Sequence, residues 1–138
     1  TQLDSLQKEY PEVLFLGTLP QRDLAHNQRA ADVLVVPNSA REIISARHTS
    51  PLKVFAHMAS GVPIVATSVT SIMEILSAKN AILVEPDNPE ALAEGIKRVV
   101  DDPILAERLA RHAKEDVVGY DWMVRTDSIY SFIKRRTQ

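Results

Sequence analysis

Four short apolar runs, separated by helical patterns, restrict the fold more than any other feature of the sequence. They are Val13 to Leu16, Val33 to Val36, Pro63 to Thr67 and Ala81 to Val84. Each run is continuously apolar rather than alternating, as expected for parallel strands that are covered on both faces. Because strands that alternate with helices are joined by right-handed crossovers, the pattern predicts an α/β fold with a parallel sheet of about four strands.

The helical segments have recognisable beginnings. Residues 3–9 and 22–31 show helical patterns, and Asn88 and Asp102 each precede a proline, which suits the first position of a helix. Asp121 is expected to cap a last helix. The apolar stripe of that helix comprises Trp122, Ile129, Phe132 and Ile133.

Composition narrows the classes of function. Hydrophobic residues make up 45% of the 138 residues and charged residues 25%, as in one soluble globular domain. The net charge of −2, with scattered basic residues, argues against a nucleic-acid partner. The chain has no cysteine, and its four histidines lack metal-site spacing with carboxylates, so no metal is expected. Neither a membrane span nor a leader is expected, and the sequence predicts a cytoplasmic protein.

The stretch "SPLKVFAHMASGVPIVAT", residues 50–67, reads as a loop, a helix of about ten residues and a buried strand. Ser50 is a good N-cap, and Pro51 suits the first helical turn because its missing N–H would be unpaired there. Gly61 supplies the left-handed residue that ends the helix. The apolar face predicted from the spacing comprises Leu52, Phe55, Ala56 and Ala59.

Lys53 is the unusual residue of this helix. It puts a cation in the first turn, where the macrodipole is positive and unpaired N–H groups point outward. A bound anion resolves this conflict, and a phosphate at a helix start beside a parallel sheet is how such folds bind nucleotides. The alternative is an exposed lysine that costs a few tenths of a kcal/mol, roughly the size of a surface dipole effect.

The ordered motifs are similar to those of a known family. "VLFLGTL", "AADVLVVPNS", "SPLKVFAHMASGVPIVAT", "MEIL", "AILVEPDNPEALAEGIKRVVDD" and "YDWMVRTDSIYSFI" follow one another over nearly the whole chain. This order resembles the C-terminal, nucleotide-sugar-binding domain of retaining glycosyltransferases of the GT-B fold, glycosyltransferase group 1 or family 4-like. The resemblance implies a Rossmann-like three-layer αβα domain.

The resemblance also implies a donor site in residues 48–56. In the family, two glutamates frame this element; the first faces the donor sugar and the second accepts hydrogen bonds from the nucleotide ribose. These positions are His48 and Ala56 in this chain. His48 is a candidate catalytic residue. Ala56 cannot accept a hydrogen bond, and losing a charge-assisted ribose contact weakens donor binding by about 1.5 to 3 kcal/mol.

Other residues of the implied site act through the backbone or through charge. The amides of Ser50 and Leu52 are expected to hold the diphosphate, and Lys53 adds positive charge. Thr18 follows "FLG", where the base and ribose approach the backbone in the family. The implied binding residues are therefore Ser50, Pro51, Leu52, Lys53, Ala56 and Thr18.

Two further residues are weaker candidates. His57 follows the ribose position and is a partial substitute for the missing glutamate, although a packed or solvent-facing histidine is the commoner case. Glu74 corresponds to the glutamate of the family's "EIL" motif. Ser71 and Glu74 also predict a capping box for a helix running to about Ser77, which explains the glutamate without a functional role.

The implied function is part of a retaining glycosyltransferase, which transfers a sugar from a nucleotide diphosphate sugar to an acceptor without a cofactor. Residues 1–138 are expected to form a single domain that lacks the family's first strands and its N-terminal acceptor domain, so the chain alone is expected to be inactive. The alternative is a non-catalytic, degenerate nucleotide-binding or interaction module, which the alanine at position 56 favours.

The family's sheet order raises a pairing question. The absent strands would lie between Val13 to Leu16 and Val33 to Val36, and a gap two strands wide, about 10 Å, would leave unpaired backbone. We expect the two runs to pair directly. The alternatives are a homo-oligomer that fills the exposed sheet edge and an excised piece of a longer protein. The last helix is rich in basic residues, namely Arg125, Lys134, Arg135 and Arg136. An anionic membrane surface is an alternative partner for them, although such a basic end more often complements the helix dipole.

Overall fold

Helices and strands alternate along most of the chain. The computed structural model describes residues 2–41, 43 and 52–136. In chain order the elements are α1 (Gln2–Glu9), α2 (Gln21–Arg29), β1 (Leu34–Val36), α3 (Leu52–Ser60), β2 (Ile64–Thr67), α4 (Thr70–Met73), β3 (Ile82–Val84), α5 (Pro89–Asp101), α6 (Pro103–Asp116), a 3₁₀ turn (Val117–Tyr120) and α7 (Trp122–Arg136). The helices expected near residues 3 and 22 are α1 and α2.

The three strands form one parallel sheet in the order β1-β2-β3. Val35 of β1 pairs with Val65 of β2, and Val65 pairs with Ile82 of β3. Strand β2 is central, and all four of its residues are buried. Parallel strands joined through helices are the α/β architecture that the apolar runs predict, and that prediction is confirmed.

The predicted fourth strand is wrong, and so is its direct pairing with the Val33 to Val36 run. Val13 to Leu16 has no strand structure, and Leu14 is 78% exposed. The side chain of Gln7 forms hydrogen bonds with the backbone of this run instead. Its Nε2 donates to the Val13 carbonyl at 2.8 Å, and its Oε1 accepts from the Phe15 N–H at 3.5 Å. Two backbone groups of this apolar run therefore pair with a side chain of α1, and no strand lies beside the run among the described residues.

The main hydrophobic core lies between one face of the sheet and the helices that cover it. Ile64 and Ala66 of β2 lie in one buried cluster with Val54 and Met58 of α3. Ala113 of α6 belongs to the same cluster. This face therefore packs α3 and α6 against the sheet through a shared apolar cluster.

Helix α5 covers the opposite face through Gly95. A methyl group added to Gly95 would lie 2.8 Å from Val84 Cγ1 and 3.0 Å from Val65 Cγ1. Neighbouring strand residues point to opposite faces, so Val65 and the pair Ile64 and Ala66 face different layers. The three-layer αβα arrangement is confirmed.

Side-chain caps begin the C-terminal helices as predicted. Asn88 Oδ1 accepts from the Ala91 N–H at 2.9 Å, and Asp102 Oδ1 accepts from the Leu105 N–H at 2.9 Å. Asp121 Oδ1 accepts a backbone N–H at 2.8 Å at the start of α7. Each of these caps satisfies an N–H that has no partner inside its helix.

The predicted capping box at the start of α4 is wrong. The helix follows Val69, whose side chain makes no cap bond, and it ends at Met73. Ser71 is buried within the helix. Val69 and Ile72 belong to the core cluster, so their burial orients this turn in place of a cap.

Helix α7 has the predicted apolar stripe, but the stripe is exposed. Every described side chain of α7 is exposed; Trp122 is 78% and Phe132 52% exposed. The apolar side chains of this helix therefore add little to the core. Among the described residues, no helix combines the length and the apolar character that crossing a membrane requires.

Candidate functional site

The predicted donor site lies where the chain enters α3. His48, Ser50 and Pro51 lie outside the described residues, and the helix is described from Leu52. Strand β1 ends at Val36 and α3 follows it along the chain, so the helix start belongs to the carboxyl end of the sheet. This end is where open parallel sheets bind ligands.

The buried face of α3 differs from the predicted one. Val54, His57 and Met58 are buried, whereas Leu52 is 73% exposed and Ala56 is also exposed. The observed and the predicted faces both have helical spacing. The sequence pattern favoured the predicted face because histidine is classed as a polar residue. The burial of Val54 and Met58 against the sheet turns Ala56 outward.

Lys53 lies in the first turn of α3, the position that the sequence predicts, and it is exposed. This turn contains no acidic residue. Within the described part of the chain, Lys53 makes no ion pair. The ammonium group and the first N–H groups of the helix therefore produce a positive potential that no described carboxylate of this turn neutralises.

His57 lies on the inner side of α3. It is 9% exposed, and its Nδ1 is buried without a hydrogen-bond partner among the described residues. Burial, followed by the charge of Lys53, lowers the pKa of His57 below its usual value of 6.5. The ring is therefore neutral at pH 7. Its position on the buried face removes it as a substitute for a ribose ligand on the exposed face at Ala56.

A shallow pocket of about 220 Å³ lies between α2 and α3. The residues that line it are Leu24, Ala25, Gln28, Arg29, Ala56, Ala59 and Ser60. Ala56 gives this pocket a small apolar side chain, at the position that the resemblance assigns to the family's second glutamate. The pocket wall at this position therefore offers no acceptor.

Thr18 lies apart from α3 in the sequence, in the irregular segment before α2. It is exposed, and it follows Gly17, whose φ of +64° is in the left-handed region. Of the predicted residues, the structure brings Leu52, Lys53 and Ala56 together on α3. Glu74 is exposed at the end of α4.

A group of residues at the carboxyl end of the sheet was missed by the sequence reading. Asp87, after β3, accepts a hydrogen bond from the Ser39 hydroxyl at 2.6 Å and another from the Ala40 N–H at 2.9 Å. Its Oδ1 lies 3.7 Å from Arg41 Nε. The "EPDNP" sequence signals a turn, but no sequence pattern connects Asp87 with residues almost fifty positions earlier.

These bonds join the segment after β1 to the turn after β3. The bond to the Ser39 hydroxyl is the largest cause that holds the pKa of Asp87 below its usual value, and the Ala40 N–H and Arg41 act in the same direction. A hollow of about 310 Å³ lies beside this contact. It is lined by Pro37, Arg41, Thr67, Asp87, Asn88, Pro89 and Leu92.

No metal centre is present among the residues that the structure describes. They contain no group of three histidine or acidic side chains arranged to hold an ion. His112 Nδ1 lies 3.1 Å from the Lys79 carbonyl oxygen, so this ring has a backbone partner.

Sequence comparisons identify relatives that are about four times longer than the match. The chain is 34% identical over 113 residues to an uncharacterized glycosyltransferase of Methanocaldococcus jannaschii, covering 80% of this chain and 27% of the relative. It is 28% identical over 131 residues to sulfoquinovosyl transferase of Arabidopsis thaliana, covering 92% and 24%. The chain thus spans about a quarter of the length of these curated relatives.

Solved structures share the fold. Sucrose-phosphate synthase from Thermosynechococcus elongatus superposes with a TM-score of 0.72 at 25% identity, covering 98% of this chain and 34% of that one. HepE of Anabaena, solved in complex with UDP, gives a TM-score of 0.77 at 20% identity, covering 96% and 36%. The same protein is also solved with UDP-glucose.

The family comparison agrees with the fold. The family model described as "Glycosyl transferases group 1" matches residues 1–102, which include all three strands and α3. The chain therefore belongs to the glycosyl transferases group 1 family.

Proposed function

We propose that this chain is the nucleotide-sugar-binding domain of a retaining glycosyltransferase and binds the diphosphate of its donor at the start of α3. The observation that carries the proposal is the exposed Lys53 in a first turn that contains no acidic residue. Family membership supports the transferase class, and UDP and UDP-glucose bound to HepE support a nucleotide-sugar donor.

The chemical role of this site is to bind and stabilise negative charge. As the sugar departs, charge grows on the diphosphate, and a fixed cation and helix N–H groups stabilise it more than they stabilise the bound donor. Leu52 and Lys53 belong to this turn, and Ser50, Pro51 and the candidate His48 precede it in the sequence. Neither a metal nor a cofactor is part of the proposal.

The proposal extends to the architecture of the whole enzyme. Residues 1–138 act as one domain of a longer transferase, in which an acceptor domain completes the catalytic cleft. This agrees with the coverage of about a quarter of the curated relatives. The chain alone is expected to bind donor without transferring sugar.

A second candidate is a non-catalytic binding or interaction module. Ala56 favours it, because the exposed position of the ribose ligand carries no acceptor. The two candidates differ in whether the diphosphate site still binds a nucleotide.

Calorimetric titration of the chain with UDP, and in parallel with GDP, tests the proposal. We expect one of them to bind in the micromolar to millimolar range. Lys53→Ala is expected to weaken binding about threefold to tenfold, because it removes the only charged side chain of the first turn.

The matched control is Lys97→Ala on the exposed side of α5, which is expected to leave binding unchanged. Absence of binding by both nucleotides would favour the interaction module. Equal losses in the two lysine variants would show a nonspecific charge effect and would contradict the proposed site.

A further inference from the structure

We propose that Asp87 is a positioning residue that holds the Ser39–Arg41 segment in place, so that the Arg41 guanidinium serves as a second cation for the donor diphosphate. The inference rests on the proposed function, because it names a further ligand of the same anionic group. In this arrangement Asp87, in the turn after β3, contributes to donor binding indirectly, by positioning the segment after β1.

The backbone of Asp87 is the first observation. Its φ of +58° makes it the one non-glycine residue with positive φ among those the structure describes. Such a conformation is sparsely populated by residues with a side chain, although aspartate tolerates it better than most. Residues retained in this region cluster at binding and active sites.

The contacts of the carboxylate explain why an aspartate stands here. Oδ1 accepts the Ser39 hydroxyl at 2.6 Å, and Oδ2 accepts the Ala40 N–H at 2.9 Å. The Ser39 hydroxyl in turn accepts the Arg41 N–H at 3.1 Å. Three consecutive residues are thus fixed directly or indirectly by one carboxylate, which glycine at this position cannot do.

Arg41 is the residue that this arrangement presents. Its side chain is 81% exposed, and its Nε lies 3.7 Å from Asp87 Oδ1. Because Nε faces the carboxylate, the terminal NH₂ groups remain available to a ligand, and guanidinium groups bind phosphate oxygens in pairs. Arg41 also lines the 310 Å³ hollow at the carboxyl end of the strands, which has room for part of a ligand.

A double-mutant cycle of UDP affinity tests the inference. Asp87→Gly removes the carboxylate and gives the backbone a residue that adopts positive φ freely, so strain cannot explain a loss of binding. Asp87→Gly and Arg41→Ala are each expected to weaken UDP binding about threefold to tenfold. Because Asp87 acts through Arg41, the double variant is expected to bind like Arg41→Ala alone.

Asp116 provides a matched control at the other end of the sheet. Its carboxylate also accepts two hydrogen bonds, here both from side chains, Lys79 Nζ and Asn80 Nδ2, at 2.9 Å each. Asp116→Asn and Asp87→Asn are the same chemical change. Only Asp87→Asn is expected to weaken UDP binding, and by less than Asp87→Gly, because an amide oxygen keeps one acceptor.

The outcomes separate this inference from the proposed function. If the unaltered chain binds neither UDP nor GDP, both are overturned. If UDP binds and both Asp87→Gly and Arg41→Ala bind it normally, the inference alone fails. Tighter binding after removal of the Asp87 carboxylate, or additive losses in the double variant, would also overturn it, because the carboxylate would then act by repulsion or independently of Arg41.

Discussion

A substitution at Ala56 tests whether the donor binds beside α3. Ala56 is exposed on α3 and lines the pocket between α2 and α3, at the position that the resemblance assigns to the family's ribose-binding glutamate. A carboxylate here would gain a charge-assisted hydrogen bond to a ribose hydroxyl. We therefore expect Ala56→Glu to tighten UDP binding about tenfold or more, measured by calorimetry.

Ala59→Glu is the control for this gain of affinity. Ala59 lines the same pocket and is also exposed, but it lies almost one turn later on α3. A carboxylate at this position is expected to leave UDP binding unchanged or weaker. If both glutamates tighten binding, or if Ala56→Glu weakens it, the family's ribose position does not apply to this chain.

His57 makes the stability of the chain depend on pH. Its pKa lies below the usual 6.5 because of burial and then Lys53, so the unfolded chain binds the proton more readily than the folded chain. Above pH 6.5, protonation of His57 therefore does not reduce the free energy of unfolding. Between pH 6.5 and the lower pKa of the folded state, the free energy of unfolding falls as the pH drops. His57→Gln is expected to reduce this loss, measured by urea unfolding between pH 7.5 and 5.

The matched variant for this measurement is His26→Gln. His26 is exposed on α2, and its replacement is expected to leave the pH dependence of stability as it is in the unaltered chain. An identical pH dependence in the His57→Gln variant would mean that the buried ring does not couple protonation to unfolding.

The sequence predicted some features of single residues and missed others. Lys53 in the first turn of α3 and the cap of Asn88 followed from local rules, because a helix start depends on adjacent residues. The burial of His57 and the bonds of Asp87 did not follow, because each depends on residues distant in the chain. Two helical faces of α3 had equal spacing, and only the sheet packed against Val54 and Met58 distinguishes them.

Gly95 shows how closely an element can depend on one position. An added Cβ would lie 2.8 Å from Val84 Cγ1 and 3.0 Å from Val65 Cγ1, closer than side chains normally pack. We expect Gly95→Ala to lower the free energy of unfolding by about 1 to 2 kcal/mol, although alanine favours the helix itself by about 1 kcal/mol. Urea unfolding monitored by circular dichroism measures the change.

Gly119→Ala, in the 3₁₀ turn, controls for the general effect of replacing glycine. No atom lies within 4 Å of a Cβ built there, so a change within about 0.5 kcal/mol is expected. If Gly95→Ala is as stable as the unaltered chain, α5 shifts on the sheet without cost.

Elements were predicted well where their partners lie within the chain. The three runs that became β1, β2 and β3 pair with one another, and their continuous apolar pattern reports burial on both faces. Val13 to Leu16 has the same pattern, but a strand also needs a neighbour, which a run of residues cannot specify. The side chain of Gln7 takes the place of that neighbour.

At the scale of the whole molecule, the described strands leave two sheet edges unpaired, at β1 and at β3, and the apolar side chains of α7 are exposed. Strand β1 pairs only with β2 among the described strands, so one edge of the sheet is unpaired there. Association of two copies through this edge stays a prediction, and a strictly monomeric chain in sedimentation experiments would contradict it. Exposed strand edges and large apolar surfaces are both features that folded domains normally cover.

Because the side chains on the apolar face of α7 are exposed, we expect that truncating them has only a small effect on stability. Phe132 and Ile133 are 52% and 54% exposed, whereas Leu109 of α6 is fully buried. Truncating a side chain costs stability mainly through lost burial, so Phe132→Ala and Ile133→Ala are each expected to lower the free energy of unfolding by about 1 kcal/mol or less. Leu109→Ala is expected to cost about 2 to 5 kcal/mol under the same urea titration, because it leaves a cavity. A cost near that of Leu109→Ala at either α7 position would mean that this face is covered in solution, and a dependence of that cost on protein concentration would identify a second copy as the cover.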